Sequence, residues 1–132
     1  MRIYIAASLT MREHAIAAGE RIRRETDHTV ECRWFNESLG SEDSGFLAGR
    51  ASDNLADIRD ADMIVRFSDA EVVSGLAGSI DRRLATGGRH FECGYAYALG
   101  KAVVVVGGRQ NIFDWLPDIT HAADVGQLLS LL

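Results

Sequence analysis

Two cysteines, one proline and no extended apolar run are all that this chain of 132 residues has of three informative features. Cys32 and Cys93 are too few for a disulfide framework, and neither belongs to a metal-spaced pair. The single proline, Pro117, leaves no proline-rich linker, and no repeat or low-complexity run divides the chain. No segment approaches the length of a membrane span. The opening Met1–Ala7 run is too short for a signal peptide and leads into a charged helix. Positive charge is also scarce: 14 Lys and Arg stand against 19 Asp and Glu, a net charge of −5. A basic face for polymeric nucleic acid is therefore not expected. The expectation is one domain over residues 1–132, cytoplasmic, with no membrane partner.

What is present is ordinary for a globular chain: 47% apolar and 25% charged residues. One stretch organises the rest. Thr86-Gly87-Gly88-Arg89-His90-Phe91-Glu92 runs into Cys93-Gly94-Tyr95-Ala96-Tyr97-Ala98-Leu99-Gly100-Lys101, and four valines follow. It reads as a glycine turn, a helix, a glycine stop and a buried strand. Phe91, Tyr95, Ala98 and Leu99 share one side of that helix. Glu92 falls in what reads as its first turn, where the helix dipole favours an ionised carboxylate.

Gly88, Glu92, Gly94, Tyr95, Ala96, Leu99, Gly100 and Lys101 carry a resemblance to the nucleoside 2-deoxyribosyltransferase family, with its nucleotide N-glycosidase relatives. Ile3-Tyr4-Ile5-Ala6 and Asn54-Leu55-Ala56-Asp57-Ile58-Arg59-Asp60-Ala61-Asp62 look like the same family, and the matching blocks span most of the chain. The resemblance implies that Glu92 is a nucleophile toward a sugar carbon and that Tyr4 reaches it through its hydroxyl. It implies that Asn54 stands where the family usually has an aspartate near the nucleobase. An amide can hydrogen-bond a base but cannot protonate it; either Asp57, one turn on, is the substitute acid or the leaving group needs none. Thr86 stands where the transferases carry an aspartate and the nucleotide hydrolases a serine, which tilts the ligand toward a 5′-phosphate. Asn111 is similar to an asparagine that a neighbouring subunit inserts into the site.

Strands alternating with helices give the fold class: α/β, a flavodoxin- or Rossmann-like three-layer fold with a parallel sheet of about five strands. Strands are expected over Arg2–Ala7, Thr29–Trp34, Asp62–Phe67, Val103–Val106 and Ile119–His121. Thr10 and Glu13 have capping-box spacing for the first helix. The polar stretch Asn36–Gly49 reads as a loop, followed by a helix over Arg50–Ala61 with Leu55 and Ile58 inward. Ser68–Gly87 reads as a second irregular stretch. Asp124 is the expected cap of a last helix.

Ligands bind such sheets at the carboxyl ends of the strands. That places Ser8, Arg66, Arg109 and Asn111 as candidates by loop position. Gly88, Arg89 and His90, at a helix N-terminus, are candidates for anion contacts. His90 with Cys93 is not a metal site, and no metal or organic cofactor is expected. Cys93 reads as a small buried hydrophobe, and Trp34, Phe113 and Trp115 as core or interface.

The expected partner is a small-molecule nucleoside or nucleoside 5′-monophosphate whose N-glycosidic bond is cleaved or transferred. A homodimer or higher homo-oligomer is expected to close the site. The alternative is a non-catalytic nucleotide-binding or sensing module of the same fold, which Asn54 in place of an acid favours.

Overall fold

Three apolar runs build the centre of the sheet, and their uninterrupted burial says that both faces are covered. The computed structural model describes residues 1–37, 44–69 and 87–132. The strands are β1 (Arg2–Ala6), β2 (Thr29–Val30), β3 (Met63–Phe67), β4 (Ala102–Val106) and β5 (Thr120–Ala122). The helices are α1 (Arg12–Glu25), α2 (Ser44–Asp60), α3 (Gly88–Ala98) and α4 (Val125–Leu131). All strand pairs are parallel, in the order β2-β1-β3-β4-β5. The expected three-layer α/β fold is thus the one observed. Helix α1 packs with α4 on one face, and α2 with α3 on the other. Alternating crossovers about β1 require this arrangement.

Register decides which side chains reach the α2/α3 face. Tyr4 pairs with Ile64, Ala6 with Arg66, and Arg66 with Val105. Partners in a parallel pair share a face, so Tyr4 and Arg66 both project toward α2 and α3. Helix α3 ends as its glycine demands. Gly100 adopts φ +71°, the Lys101 N–H donates to the Ala96 carbonyl at 3.0 Å, and the Gly100 N–H donates to Tyr97 at 2.9 Å. These are the two bonds of a Schellman stop.

Several expectations are corrected. Strand β2 ends at Val30, not Trp34, and Arg33–Asn36 is a 3-10 turn. The turn folds Trp34 over the sheet, where its indole N–H donates to the Ile5 carbonyl at 2.8 Å; the Arg33 N–H donates to Asp57 at 2.9 Å. Helix α2 begins at Ser44, inside the stretch read as loop, although Ile58 and Leu55 do pack inward. The capping box does not form. Leu9–Met11 is a 3-10 turn, and the Thr10 hydroxyl pairs instead with Ser8 at 2.8 Å. Strand β5 is displaced one residue toward the C-terminus. Asp124 does cap α4, accepting from the Gln127 N–H at 2.8 Å.

The largest correction concerns α3. Its buried residues are Arg89, Cys93 and Ala96, whereas Phe91 is 68% exposed and Leu99 44%. Of the side shared by Phe91, Tyr95, Ala98 and Leu99, only Tyr95 packs against the core. Phe113 and Trp115, read as core or interface, are likewise 64% and 70% exposed, on the 3-10 turn Ile112–Trp115.

Beneath that turn, Asp114 forms a fully buried ion pair with Arg66 of β3. Arg66 is 1% and Asp114 2% exposed, and the bond is 2.6 Å. The Gln110 N–H adds a second donor to the same carboxylate oxygen at 2.7 Å. Burial works to raise the Asp114 pKa, but the Arg66 and Gln110 donors hold it below the usual carboxylate range. The pair pins the turn to the sheet. Asp114→Ala leaves Arg66 buried and unpaired, and urea unfolding is expected to show a loss of about 3–5 kcal/mol. The joint change Arg66→Met with Asp114→Leu is expected to recover most of it.

Candidate active site

Helix α3 enters from a turn that only glycine adopts comfortably: Gly87 is its N-cap with φ +79°. Because the helix starts at Gly88, Glu92 is its fifth residue and lies beyond the first turn. The expectation that the free N–H groups of the helix start hold this carboxylate is therefore corrected. Two side chains hold it instead. The Tyr4 hydroxyl, from β1, donates to Glu92 Oε1 at 3.0 Å, and the Asn54 amide, from α2, donates to the same oxygen at 3.1 Å. Three elements, distant in sequence, thus converge on one oxygen. Among the described residues no donor reaches Oε2.

The electrostatics follow from this enclosure. Burial raises the Glu92 pKa to about 7, against the lowering effect of the Tyr4 and Asn54 hydrogen bonds. Desolvation outweighs two good donors because a charge loses more by leaving water than neutral donors return. The dipole effect expected at this helix start would have acted in the other direction. Burial and the neighbouring carboxylate drive the Tyr4 phenol far above its ordinary value, so it remains a donor at every physiological pH.

Glu92 and Asn54 line a cleft of about 140 Å³ with Ala7, Ser8, Leu9, Trp34, Arg50, Gly87, Gly88 and Arg89. A hollow of about 1200 Å³ lies on the α1/α4 side, lined by residues including Met11, His14, Ala17, Gly107 and Val125. Size alone does not mark a site. The smaller cleft holds the convergent polar groups and the strongly shifted carboxylate, which makes it the better candidate.

The other candidates divide. Ser8, Asn54, Gly88 and Arg89 reach the cleft wall, and Tyr4 sits behind it against Glu92. Asp57 does not line the cleft. Its carboxylate accepts from the Arg33 side chain at 2.8 Å and from the Arg33 N–H at 2.9 Å, so the substitute acid is already engaged. His90 turns away from the cleft: its Nδ1 lies 2.9 Å from Arg66 Nη1 and 3.2 Å from Asn111 Nδ2. Burial, with the charges of Arg89 and Arg66, lowers its pKa, so His90 is neutral and accepts both bonds. Asn111 caps its own 3-10 turn, accepting from the Phe113 N–H at 2.9 Å. Within its own chain it lies outside the cleft. Arg109 stacks over Trp115 and also lies outside. Thr86 falls outside the described residues.

Sequence reasoning missed Asp69, which joins Ser8 to Arg89 beside the cleft, and it assigned Trp34 to core or interface alone. Asp69 stands two residues past the end of β3, where the strand-end rule points, but it was absorbed into the irregular stretch from Ser68. Among the described residues no group of three metal-ligating side chains assembles, and no helix is long and apolar enough to cross a membrane.

No protein-family model matches the chain, and no curated protein sequence matches it. Solved structures do. A 2-deoxyribosyltransferase from Bacillus psychrosaccharolyticus superposes with a TM-score of 0.70 at 18% identity, covering 98% of this chain and 90% of its own. The CMP N-glycosidase BcmB of Clostridium botulinum superposes with a TM-score of 0.57 at 13% identity, covering 99% of this chain and 97% of its own. At these identities the likeness is one of fold, over the whole length of both.

Two consequences of the Glu92 environment are measurable. Its folded-state pKa of about 7 lies above the ordinary 4.5, so the folded protein holds that proton more tightly. The stability this supplies is complete below pH 4.5 and is lost as pH rises toward 7. Glu92→Gln keeps the shape without the charge. Thermal melts are expected to show it level with the wild type near pH 4.5 and more stable at pH 8, by on the order of 2 kcal/mol. Asn54→Asp sets a second carboxylate against the first. It is expected to shift the Glu92 titration upward by roughly one pH unit or more, followed by carboxyl-carbon NMR.

Proposed function

We propose that this protein cleaves or transfers the N-glycosidic bond of a (deoxy)nucleoside or nucleoside 5′-monophosphate, with Glu92 as the nucleophile. The observation that carries this reading is the division of labour between the two oxygens of Glu92. Oε1 is held by Tyr4 and Asn54, while no donor among the described residues reaches Oε2 of this cleft-lining side chain. The full-length likeness in fold to a 2-deoxyribosyltransferase and a CMP N-glycosidase supports it.

In the first step Oε2 bonds to the anomeric carbon. The carbon–nitrogen bond breaks, and its electron pair leaves with the base. Tyr4 and Asn54 keep the carboxylate oriented during the attack. Water, or the N–H nitrogen of a second base, then bonds to the anomeric carbon as the bond to Oε2 breaks, and the proton it sheds passes through solvent to the departed base anion. Glu92 is the only carboxylate among the described residues that line the cleft, so no second acid of that wall protonates the departing base. Asn54 orients the nucleophile where an acid would protonate the base.

The rival reading, a binding module without turnover, draws on that same missing acid. A panel of deoxynucleosides and their 5′-monophosphates, assayed for free base, separates the two. Base release that falls at least a hundredfold in Glu92→Gln and Glu92→Ala is the expected result. Binding without any release overturns the enzymatic reading. Because only the ionised carboxylate attacks, kcat/KM is expected to rise with pH and level off above about 7, the Glu92 pKa.

The reading includes assembly. The β4–β5 connection carries only a 3-10 turn, and it leaves Ile112, Phe113 and Trp115 at 79%, 64% and 70% exposure. The His90–Asn111 hydrogen bond ties this turn to α3, whose Phe91 is similarly bare. Exposed apolar side chains of this kind suit a second copy of the same chain about a two-fold axis. Such a neighbour would bring its Asn111 toward the cleft. Sedimentation velocity is expected to show a dimer or larger species, and Trp115→Lys with Phe113→Lys is expected to yield monomers. A wild-type monomer at micromolar concentration would overturn this part.

A further inference from the structure

Beside Glu92, the cleft has an unusual wall residue. Arg89 is 8% exposed, yet its guanidinium is only partly satisfied. One Nη2 bond goes to Asp69 Oδ2 and a long one, 3.4 Å, to Gln110 Oε1, while the buried Nε has no partner. A buried N–H left without an acceptor is costly, and in a cleft wall it marks room for an acceptor that arrives with the ligand. Asp69 lines the larger hollow and not the cleft itself, and it binds the donors of the cleft wall from behind. Its Oδ1 accepts from the Ser8 hydroxyl at 2.6 Å, and Ser8 lines the cleft from the end of β1. One carboxylate therefore occupies two donors that flank the start of α3, an eleven-residue helix whose first N–H groups lie outside its own ladder.

Arg89, Ser8 and the N-terminus of α3 form the donor set for a phosphate monoester, which brings three acceptor oxygens and close to two charges. We propose that Asp69 is an internal counter-ion of this set: it holds Arg89 and Ser8 when no phosphate is bound, competes with an incoming phosphate monoester, and so sets the preference between phosphorylated and unphosphorylated sugars. The competition is electrostatic. A phosphoryl group must draw Ser8 and Arg89 from the carboxylate or sit near it at a like-charge cost, whereas a neutral hydroxyl leaves the Asp69 contacts in place. The reading deepens the proposed function by naming what discriminates its two substrate forms, but it concerns binding and not turnover.

The test uses ribose 5-phosphate and ribose, which lack a base and cannot report on glycosidic cleavage. Calorimetric titration of the full chain is expected to show the preference for ribose 5-phosphate over ribose rising at least tenfold in Asp69→Asn. It is expected to collapse in Arg89→Gln. In the unmodified protein labelled with nitrogen-15, ribose 5-phosphate is expected to shift the Arg89 Nε–H resonance, and ribose is not; this arm needs no variant to fold. An unchanged or lowered preference in Asp69→Asn, or an unmoved Nε–H at saturation, overturns the proposal. Failure to release base from any nucleoside leaves these outcomes untouched and counts only against the glycosidic reading.

Discussion

A single carboxylate taken most of the way out of water is the constraint on which this site depends. Glu92 would ionise more readily on an exposed helix surface, yet the fold holds it against Tyr4 and Asn54 with a pKa near 7. Such a group costs stability, and a strongly shifted carboxylate in a cleft marks a candidate functional group. The hydrogen bonds temper the desolvation without cancelling it, so the anion that forms is poorly solvated at one oxygen. In the proposed reading, the oxygen without a donor attacks while the other supplies the orientation.

Holding that carboxylate in register takes more than its two donors. The start of α3 is tied down by a layer beneath it. Arg66 of β3 binds Asp114 and also donates to His90, which in turn accepts from Asn111. His90 stays neutral there because burial and two neighbouring cations oppose its protonation. The layer fixes two things at once: the first turn of α3, from which Arg89 extends and just beyond which Glu92 lies, and the 3-10 turn that presents Ile112, Phe113 and Trp115 outward. The geometry of the cleft and the shape of the apolar face are mechanically linked through one buried ion pair.

The sheet was legible because its central strands are apolar without alternation, a pattern that only two-sided burial explains. The convergence of Tyr4, Asn54 and Glu92 was legible only through family resemblance, since nothing in local spacing brings β1, α2 and α3 to one point. Where the sequence misled, it did so for identifiable reasons. The periodicity of Phe91, Tyr95 and Leu99 is real, but only Tyr95 packs against the core, and Phe91 and Leu99 stay exposed. The alternation of Val30, Cys32 and Trp34 imitates a strand, while Arg33 bonds to Asp53 and Asp57 and Trp34 bonds back to Ile5, which bends the chain into a turn. The capping spacing of Thr10 and Glu13 lost to a local hydroxyl pair. Asp69 escaped notice because a lone aspartate after a strand carries no pattern; its meaning comes from Ser8 and Arg89, which lie 61 and 20 residues away.

Asn54 shows how a substitution can redirect a site without emptying it. An aspartate at that position would stand within hydrogen-bond distance of Glu92 Oε1, and the two carboxylates would share a proton near neutrality. One of them could then act as an acid, at the cost of a nucleophile ionised less often. The amide removes that coupling. It donates one hydrogen bond, adds no charge, and with Tyr4 tempers the rise that burial gives the Glu92 pKa. Its own carbonyl oxygen is buried without a partner. That unused acceptor borders the cleft beside the nucleophile, where a ligand N–H or O–H would satisfy it. A nucleobase amine is one such donor and a sugar hydroxyl another. The position therefore offers an acceptor for recognition where an aspartate would have offered a proton.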